Sequence, residues 1–248
     1  MKVSIITVCY NRSATIENSI LSVLNQDYPN IEYIIIDGGS KDGTKEIIQK
    51  YADKLAVFIS EPDKGMYDAI NKGLSLATGD VFGLMHSDDV YYDQNVVSRI
   101  VDAFKKSPNI EGIYGNGIYI TNDREEKIVR NRIGGEYNFE KLKSGWLPLH
   151  PTVYLKKSCL EKYGNYNLNF KIASDTEFLL RYLFKYKIDI HYLDTYIVKM
   201  KMGGMSTDYK RIVEVLKEDY NIYKFHNINP LSAVFSKKRQ AFQQYFTR

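Results

Sequence analysis

The stretch from Val81 to Asp89 carries the first chemical signal in the chain: an apolar run of Val81, Phe82, Gly83, Leu84 and Met85 breaks into His86, Ser87, Asp88 and Asp89. Adjacent carboxylates repel each other unless a cation, or hydroxyl and amine donors, sit between them. The pair therefore asks for a divalent metal or a sugar, or else forms an acidic cap before a helix over Asn95 to Phe104. Thr7, Tyr10, Asn11 and Asp37 stand at the ends of two other apolar runs. Tyr10 can stack on a base, Asp37 can accept from a base N–H, and paired aspartates can take ribose hydroxyls and a cation. Mg2+ or Mn2+ held by one or two carboxylates completes its shell with ligand phosphate. A nucleotide suits this set of groups. Taken singly, Asp37-Gly38-Gly39-Ser40-Lys41-Asp42-Gly43-Thr44 reads as an ordinary turn and helix start. The absence of GxGxxG and GxxxxGK[ST] argues against dinucleotide enzymes and P-loop NTPases.

These residues need elements that bring them to one place. Val3 to Val8, Tyr33 to Ile36, Ala56 to Ile59 and Val81 to Met85 read as strands. Between them, Thr44 to Tyr51 and Met66 to Ala77 read as helices, as does a segment capped by Ser13 with Ile16, Ile20, Leu21, Val23 and Leu24 facing inward. This alternation predicts an α/β fold, a mainly parallel sheet with helices on both faces. Parallel strands place their C-terminal ends, and with them the candidate residues, on one edge. Beyond Pro108 the pattern changes to strands over Ile113 to Thr121 and Lys127 to Ile133 around a turn at Asn122 and Asp123. A helix over Asp175 to Lys185, a strand near Ile190 and two C-terminal helical patterns follow.

The chain has 248 residues, 44% of them hydrophobic, enough for a real core. A net charge of +4 without a dense basic stripe in the first two-thirds gives no support for nucleic-acid binding. The two cysteines, Cys9 and Cys159, have neither disulfide nor zinc spacing and read as buried hydrophobes in a reducing compartment. No apolar run reaches the roughly 20 residues of a membrane span. Val3 to Tyr10 contains Ser4 and Thr7 and leads into Asn11 and Arg12, so it reads as a first strand rather than a signal peptide.

Four ordered motifs resemble those of the family 2 glycosyltransferases of the GT-A fold. They are Val3-Ser-Ile-Ile-Thr-Val-Cys-Tyr-Asn11, Ile36-Asp-Gly-Gly-Ser-Lys-Asp-Gly-Thr44, Gly65-Met-Tyr-Asp-Ala-Ile-Asn-Lys-Gly73, and Ala77-Thr-Gly-Asp80 through His86-Ser-Asp-Asp89. The resemblance implies an inverting transferase using a nucleotide-activated sugar, a uridine diphosphate sugar first, with Mn2+ or Mg2+. Carried over by position, Thr7, Tyr10, Asn11, Asp37, Asp63, Lys72, Asp88 and Asp89 would bind the nucleotide, Asp88 at the ribose or diphosphate and Asp89 as the metal ligand. Many relatives carry a second acid after the second strand, whereas this chain has Gly38. The Asp-Gly-Gly-Ser form is similar to a branch of bacterial polysaccharide enzymes, which implies a cytoplasmic location, either free or peripheral on the cytoplasmic face of the inner membrane.

In Ala173-Ser-Asp175-Thr-Glu177-Phe-Leu-Leu-Arg181, the resemblance makes Asp175 the general base, although Ser174 or Asp175 alone also makes a good N-cap. Leu147-Pro-Leu-His150-Pro resembles a segment lining the acceptor side, with His150 and Trp146 as acceptor contacts or structural residues. Lys199 to Ser206 reads as a loop over the diphosphate or a surface turn. On this reading residues 1–205 form the catalytic domain, with 1–110 binding the nucleotide sugar and 111–205 the glycan or lipid-linked acceptor. Residues 206–248 form a helical extension. There Leu231, Val234, Phe235, Phe242, Tyr245 and Phe246 flank Lys237, Lys238 and Arg239. Such a face suits an anionic bilayer, packing on the enzyme body or a homodimer contact. A sugar-1-phosphate nucleotidyltransferase and a non-catalytic nucleotide-sugar-binding partner subunit are the competing functions.

Overall fold

A computed structural model describes residues 1–121, 126–201 and 212–243. The first part alternates as the sequence predicts: β1 Val3–Cys9, α1 Ile16–Leu24, β2 Ile31–Asp37, α2 Thr44–Gln49, β3 Val57–Ser60, α3 Met66–Leu76, β4 Val81–Leu84, β5 Val90–Tyr91 and α4 Val96–Lys106. The second part is β6 Gly112–Ile120, β7 Ile128–Arg132, α5 Phe139–Lys143, β8 Tyr154–Lys156, α6 Ser158–Tyr163, α7 Ser174–Leu180, β9 Ile190–Lys201, α8 Ile212–Phe225 and α9 Pro230–Gln243. A π-helical turn over Arg181–Lys185 continues α7. All nine described strands join one sheet in the order β3-β2-β1-β4-β8-β6-β9-β5, with β7 on β6.

β3, β2, β1 and β4 run parallel, because each is joined to the next by a helix that returns the chain to the same end. Beyond β4 the sheet is mixed: β8 is antiparallel to both β4 and β6, while β6 and β9 are parallel. The side chains of β1 and β2 alternate between two cores. Ile6, Val8, Ile34 and Ile36 pack with Ala69, Ile70 and Leu74 of α3, and Val3, Ile5, Tyr33 and Ile35 pack with Ile16, Ile20 and Val23 of α1. Full burial of one such side chain contributes about 1.5–3 kcal/mol. Gly73 lets α3 lie close on β1, since a Cβ there would sit 2.5 Å from Ile6 Cγ2.

Two details of α1 differ from the sequence reading. Its N-cap is Thr15, with no side-chain cap, while the Ser13 N–H donates to Asp42 Oδ2 at 3.0 Å. Leu21 is 37% exposed, because the stripe of Ile16, Ile20 and Val23 already covers the sheet. The expected turn at Asn122 and Asp123, most of the glycine-rich turn ending at Ser206, the boundary at residue 206, and Tyr245 and Phe246 lie outside the described residues. Cys9 and Cys159 are buried free thiols.

At the edge opposite the strand ends, a buried carboxylate ties three strands together. Glu32 on β2 accepts from Lys2 Nζ (2.6 Å), Ser4 Oγ on β1 (2.6 Å), and the Thr78 N–H (2.7 Å) and hydroxyl (2.5 Å) in the turn before β4. Burial works to raise its pKa, but these donors outweigh burial and hold it at about 2. A carboxylate depressed in the fold contributes stability above its ordinary range that is lost as pH falls through the folded value. Glu32→Ala is expected to cost on the order of 3 kcal/mol, lowering Tm by about 6–12 °C at neutral pH. The deficit narrows as the wild type is titrated towards pH 2, and calorimetry at several pH values checks it.

Candidate active site

β4 ends at Leu84, and the chain turns through His86 to Asp89 before β5. The turn is closed by the Asp89 N–H on the His86 carbonyl at 3.1 Å. It is also held from α1, where the fully buried Ser19 hydroxyl lies 2.7 Å from the His86 carbonyl oxygen and against that of Asp89. Behind it the Tyr91 and Tyr154 hydroxyls meet at 2.6 Å. Gly83 makes room for that tyrosine, because a Cβ there would fall 2.2 Å from the Tyr154 ring.

This framework holds Asp89 at only 6% exposure, with Asp88 half-buried beside it. Burial first, and the Asp88 charge second, push the Asp89 carboxyl well above the usual carboxylate range; a hydrogen bond from the Lys201 backbone opposes them. A cation would relieve both effects. Among the described residues no group of three or more His, Cys, Asp or Glu side chains converges on one point. Two adjacent carboxylates are oxygen donors of the kind Mg2+ or Mn2+ takes, so Asp89, with Asp88 adjacent, would hold such an ion only with ligand phosphate and water completing its shell.

Asp175 enters from α7. The cap residue is Ala173, with no side-chain cap, so neither Ser174 nor Asp175 performs that task. The Ser174 hydroxyl instead donates to the Asn167 carbonyl at 2.8 Å. Asp175 Oδ1 accepts from the Thr176 N–H at 2.8 Å and the Tyr67 hydroxyl at 3.2 Å. Glu177 is closed off by Arg181, at 2.9 Å and 3.1 Å, with His226 Nε2 at 3.6 Å. Burial would raise the Glu177 pKa, but these partners pull it below its ordinary value. Asp175 is thus the acid of this helix that faces the cleft. Glu218 of α8 fixes the loop before it, accepting the N–H groups of Lys171, Ile172 and Ala173 at 2.9, 2.9 and 2.8 Å.

His150 Nε2 lies 2.6 Å from the Tyr166 hydroxyl, and its ring is 5.9 Å from that of His86. Burial pushes His150 down to about 4, against the opposing pull of Asp175, and burial lowers His86 as well. Burial thus disfavours charge on both rings.

One cleft of about 540 Å³ collects Tyr10, Asp63, Asp88, Asp89, His150 and Asp175. Five other candidates do not line it. Thr7 is fully buried, its hydroxyl 3.1 Å from Tyr33, because strand alternation turns it towards α1. Asp37 is fully buried and occupied by the Ser40 N–H (3.0 Å), the Ser40 hydroxyl and the Ser60 hydroxyl (2.7 Å). Asn11, at φ 52°, holds the loop after β2, accepting from the Lys41 N–H at 3.0 Å. Lys72 pairs with Glu61 on the outer side of α3. Trp146 stacks on Tyr137 at 6.1 Å and meets Tyr114 edge-on, within an aromatic cluster outside the cleft lining.

The cleft also includes Lys201, from the segment read as a loop over the diphosphate, and three cations that sequence reasoning passed over at this site: Arg132, Lys237 and Lys238. Burial lowers the Arg132 pKa. Lys237 of α9 donates to both Asp219 oxygens at 2.8 and 2.9 Å and to the Thr176 hydroxyl at 3.0 Å. Burial opposes its charge, but Asp219 more than offsets this and pushes Lys237 up to about 12. The basic cluster around residue 238 was the available signal; its direction was not.

This sheet, with two acids at the end of β4 and a third on a helix across the cleft, is that of a GT-A glycosyltransferase. The family model "Glycosyl transferase family 2" matches residues 4–170, and the chain belongs to that family. An uncharacterized glycosyltransferase of Mycobacterium tuberculosis is 34% identical over 72% of this chain and 68% of its own length. A "PGL/p-HBAD biosynthesis glycosyltransferase" of Mycobacterium bovis is 25% identical over 82% and 78%. Among solved structures, S. aureus TarS 1-349 in complex with UDP-GlcNAc superposes with a TM-score of 0.63 at 19% identity, over 90% of this chain and 65% of that one. The mannosyltransferase PcManGT from Pyrobaculum calidifontis, in complex with GDP-Man and Mn2+, gives 0.68 at 16% identity, over 95% and 69%. The chain spans 39% of the longer TarS structure.

An acid whose pKa is raised in the fold destabilises it once pH exceeds the unfolded value. Asp89→Asn is therefore expected to raise the Tm of the metal-free protein at neutral pH by about 2–4 °C, the response to roughly 1 kcal/mol. The gain vanishes below the ordinary carboxylate range, and thermal unfolding at both pH values checks the sign.

Proposed function

We propose that this glycosyltransferase moves a sugar from a nucleoside diphosphate donor, a uridine diphosphate sugar first, to a hydroxyl of a glycan or lipid-linked acceptor, with inversion. The observation that carries this reading is the meeting of Asp88, Asp89 and Asp175 in one cleft while Glu177 is withdrawn into an ion pair. Asp175 accepts the proton of the acceptor hydroxyl as its oxygen bonds to the anomeric carbon and the bond to the diphosphate breaks on the opposite face. The Tyr67 hydroxyl and the Thr176 N–H orient that carboxylate. A Mn2+ or Mg2+ at Asp89, when bound, would supply positive charge to the leaving diphosphate. The ligands of the two structural neighbours, UDP-GlcNAc and GDP-Man with Mn2+, support the donor class.

Surface glycan synthesis on a lipid carrier is the setting that α9 favours. Ala233 and Lys237 dock this helix onto the body, where Gly145 admits the Ala233 backbone. On the outward face Leu231 and Phe235 are each 73% exposed and Phe242 is 65% exposed, beside exposed Lys238 and Arg239. Apolar anchors with basic neighbours suit an anionic bilayer, each cation contributing about 1 kcal/mol. Among the described residues no helix is long and apolar enough to cross a membrane.

Asp175→Asn is expected to lower release of UDP from the donor in the presence of membrane glycolipid acceptors by about 10²–10⁴-fold. Donor Kd should stay within about twofold, and normal turnover by the variant would refute the base assignment. Release of pyrophosphate from a nucleoside triphosphate and sugar phosphate would favour a nucleotidyltransferase instead. The membrane reading predicts that Leu231→Glu/Phe235→Glu abolishes cosedimentation with phosphatidylglycerol vesicles and leaves turnover of a soluble acceptor unchanged. Equal sedimentation by wild type and variant contradicts it.

A further inference from the structure

The residue after β2, Gly38, carries no side chain, and an acid from the loop after β3 stands in the space beside it. A Cβ built on Gly38 would fall 2.4 Å from Asp63 Oδ2, so the Asp63 carboxylate occupies the volume that a side chain at position 38 would need. The loop after β3 is pinned there. The Glu61 N–H donates to the Asp37 carbonyl at 3.0 Å, and Pro62 lies so close to Gly39, itself at φ +81°, that a Cβ on Gly39 would be 3.3 Å from the Pro62 nitrogen. Asp63 Oδ1 accepts the Gly65 N–H at 2.8 Å. Among the described residues, Oδ2 receives no hydrogen bond.

The two acids at this end of the cleft thus differ in what they have left to offer. Asp37 is fully buried, its oxygens taken by Ser40 and Ser60. Asp63 lines the cleft with a free acceptor oxygen, at the side where Tyr10 stands 59% exposed. The metal-binding acids and Asp175 supply the chemistry deeper in.

We infer that Asp63, seated over Gly38, reads the nucleotide base. Its Oδ2 accepts a ring N–H, N3–H of uracil or N1–H of guanine, while Tyr10 covers the base face. Cytosine and adenine present a ring acceptor at the corresponding position, which would face the carboxylate lone pairs and be disfavoured. The inference rests on the donor reading proposed above, and makes the missing side chain at position 38 and the acid at position 63 one exchange of parts.

Calorimetric titration with UDP and with N3-methyl-UDP, in the presence of Mn2+, tests it. The wild type is expected to bind UDP about 10–100-fold more tightly than the methylated analogue. Asp63→Ala should lose most of that ratio while still binding both through ribose and diphosphate. Asp63→Ala/Gly38→Asp, with the acid returned to β2, should regain part of it. A wild-type ratio preserved in Asp63→Ala overturns the inference, as does a wild type that binds both analogues equally; neither result touches the donor reading. If UDP does not bind, GDP and N1-methyl-GDP replace the pair, with the same outcomes. A wild type that binds neither UDP nor GDP removes the donor reading itself, and with it this inference.

Discussion

A carboxylate held away from water beside a second carboxylate is the constraint on which this molecule is arranged. Asp89 cannot be charged at low cost where it stands, with burial and Asp88 both acting against it. The strands behind it bring it to that place: β4 is fully buried, Ser19 holds the turn from α1, and the paired tyrosines close the back. A cation beside the pair would offset that local cost. Stability elsewhere must carry it.

One such contribution lies at the opposite edge. Glu32 gathers Lys2, Ser4 and Thr78 where β1, β2 and β4 begin, while chemistry is gathered where the parallel strands end. The acceptor half joins through β6, which pairs with β7, β8 and β9. Two C-terminal helices then reach back into the cleft. Glu218 of α8 sets the loop that aims Asp175, and Lys237 of α9 bonds both the buried Asp219 and the residue next to Asp175. The helical extension therefore lines the cleft, and its outward apolar face sits on an element bonded to the helix that carries Asp175.

The first half was legible because its elements are local: a β-branched run, a helical stripe and a turn each announce themselves within ten or so residues. The strand-end rule also placed Asp88 and Asp89 correctly on the cleft. The same rule misled at Thr7 and Asp37, since reaching the right edge does not decide which way a side chain points, and alternation along the strand turned Thr7 inward. Trp146 has the chemistry of a sugar platform but lies in an aromatic cluster of residues distant in sequence. β8 is three residues long and antiparallel, too short to show a period. Contacts such as Glu218 with Ala173, 45 positions apart, have no local signature at all.

The most direct measurement is the anomalous scattering of Mn2+ in crystals grown with UDP. A peak against the Asp89 carboxylate, with the diphosphate beside it, the uracil between Tyr10 and Asp63, and Asp175 on the open side, is the expected result. Manganese bound away from Asp89, or UDP lying outside this cleft, would contradict the assignment of the site.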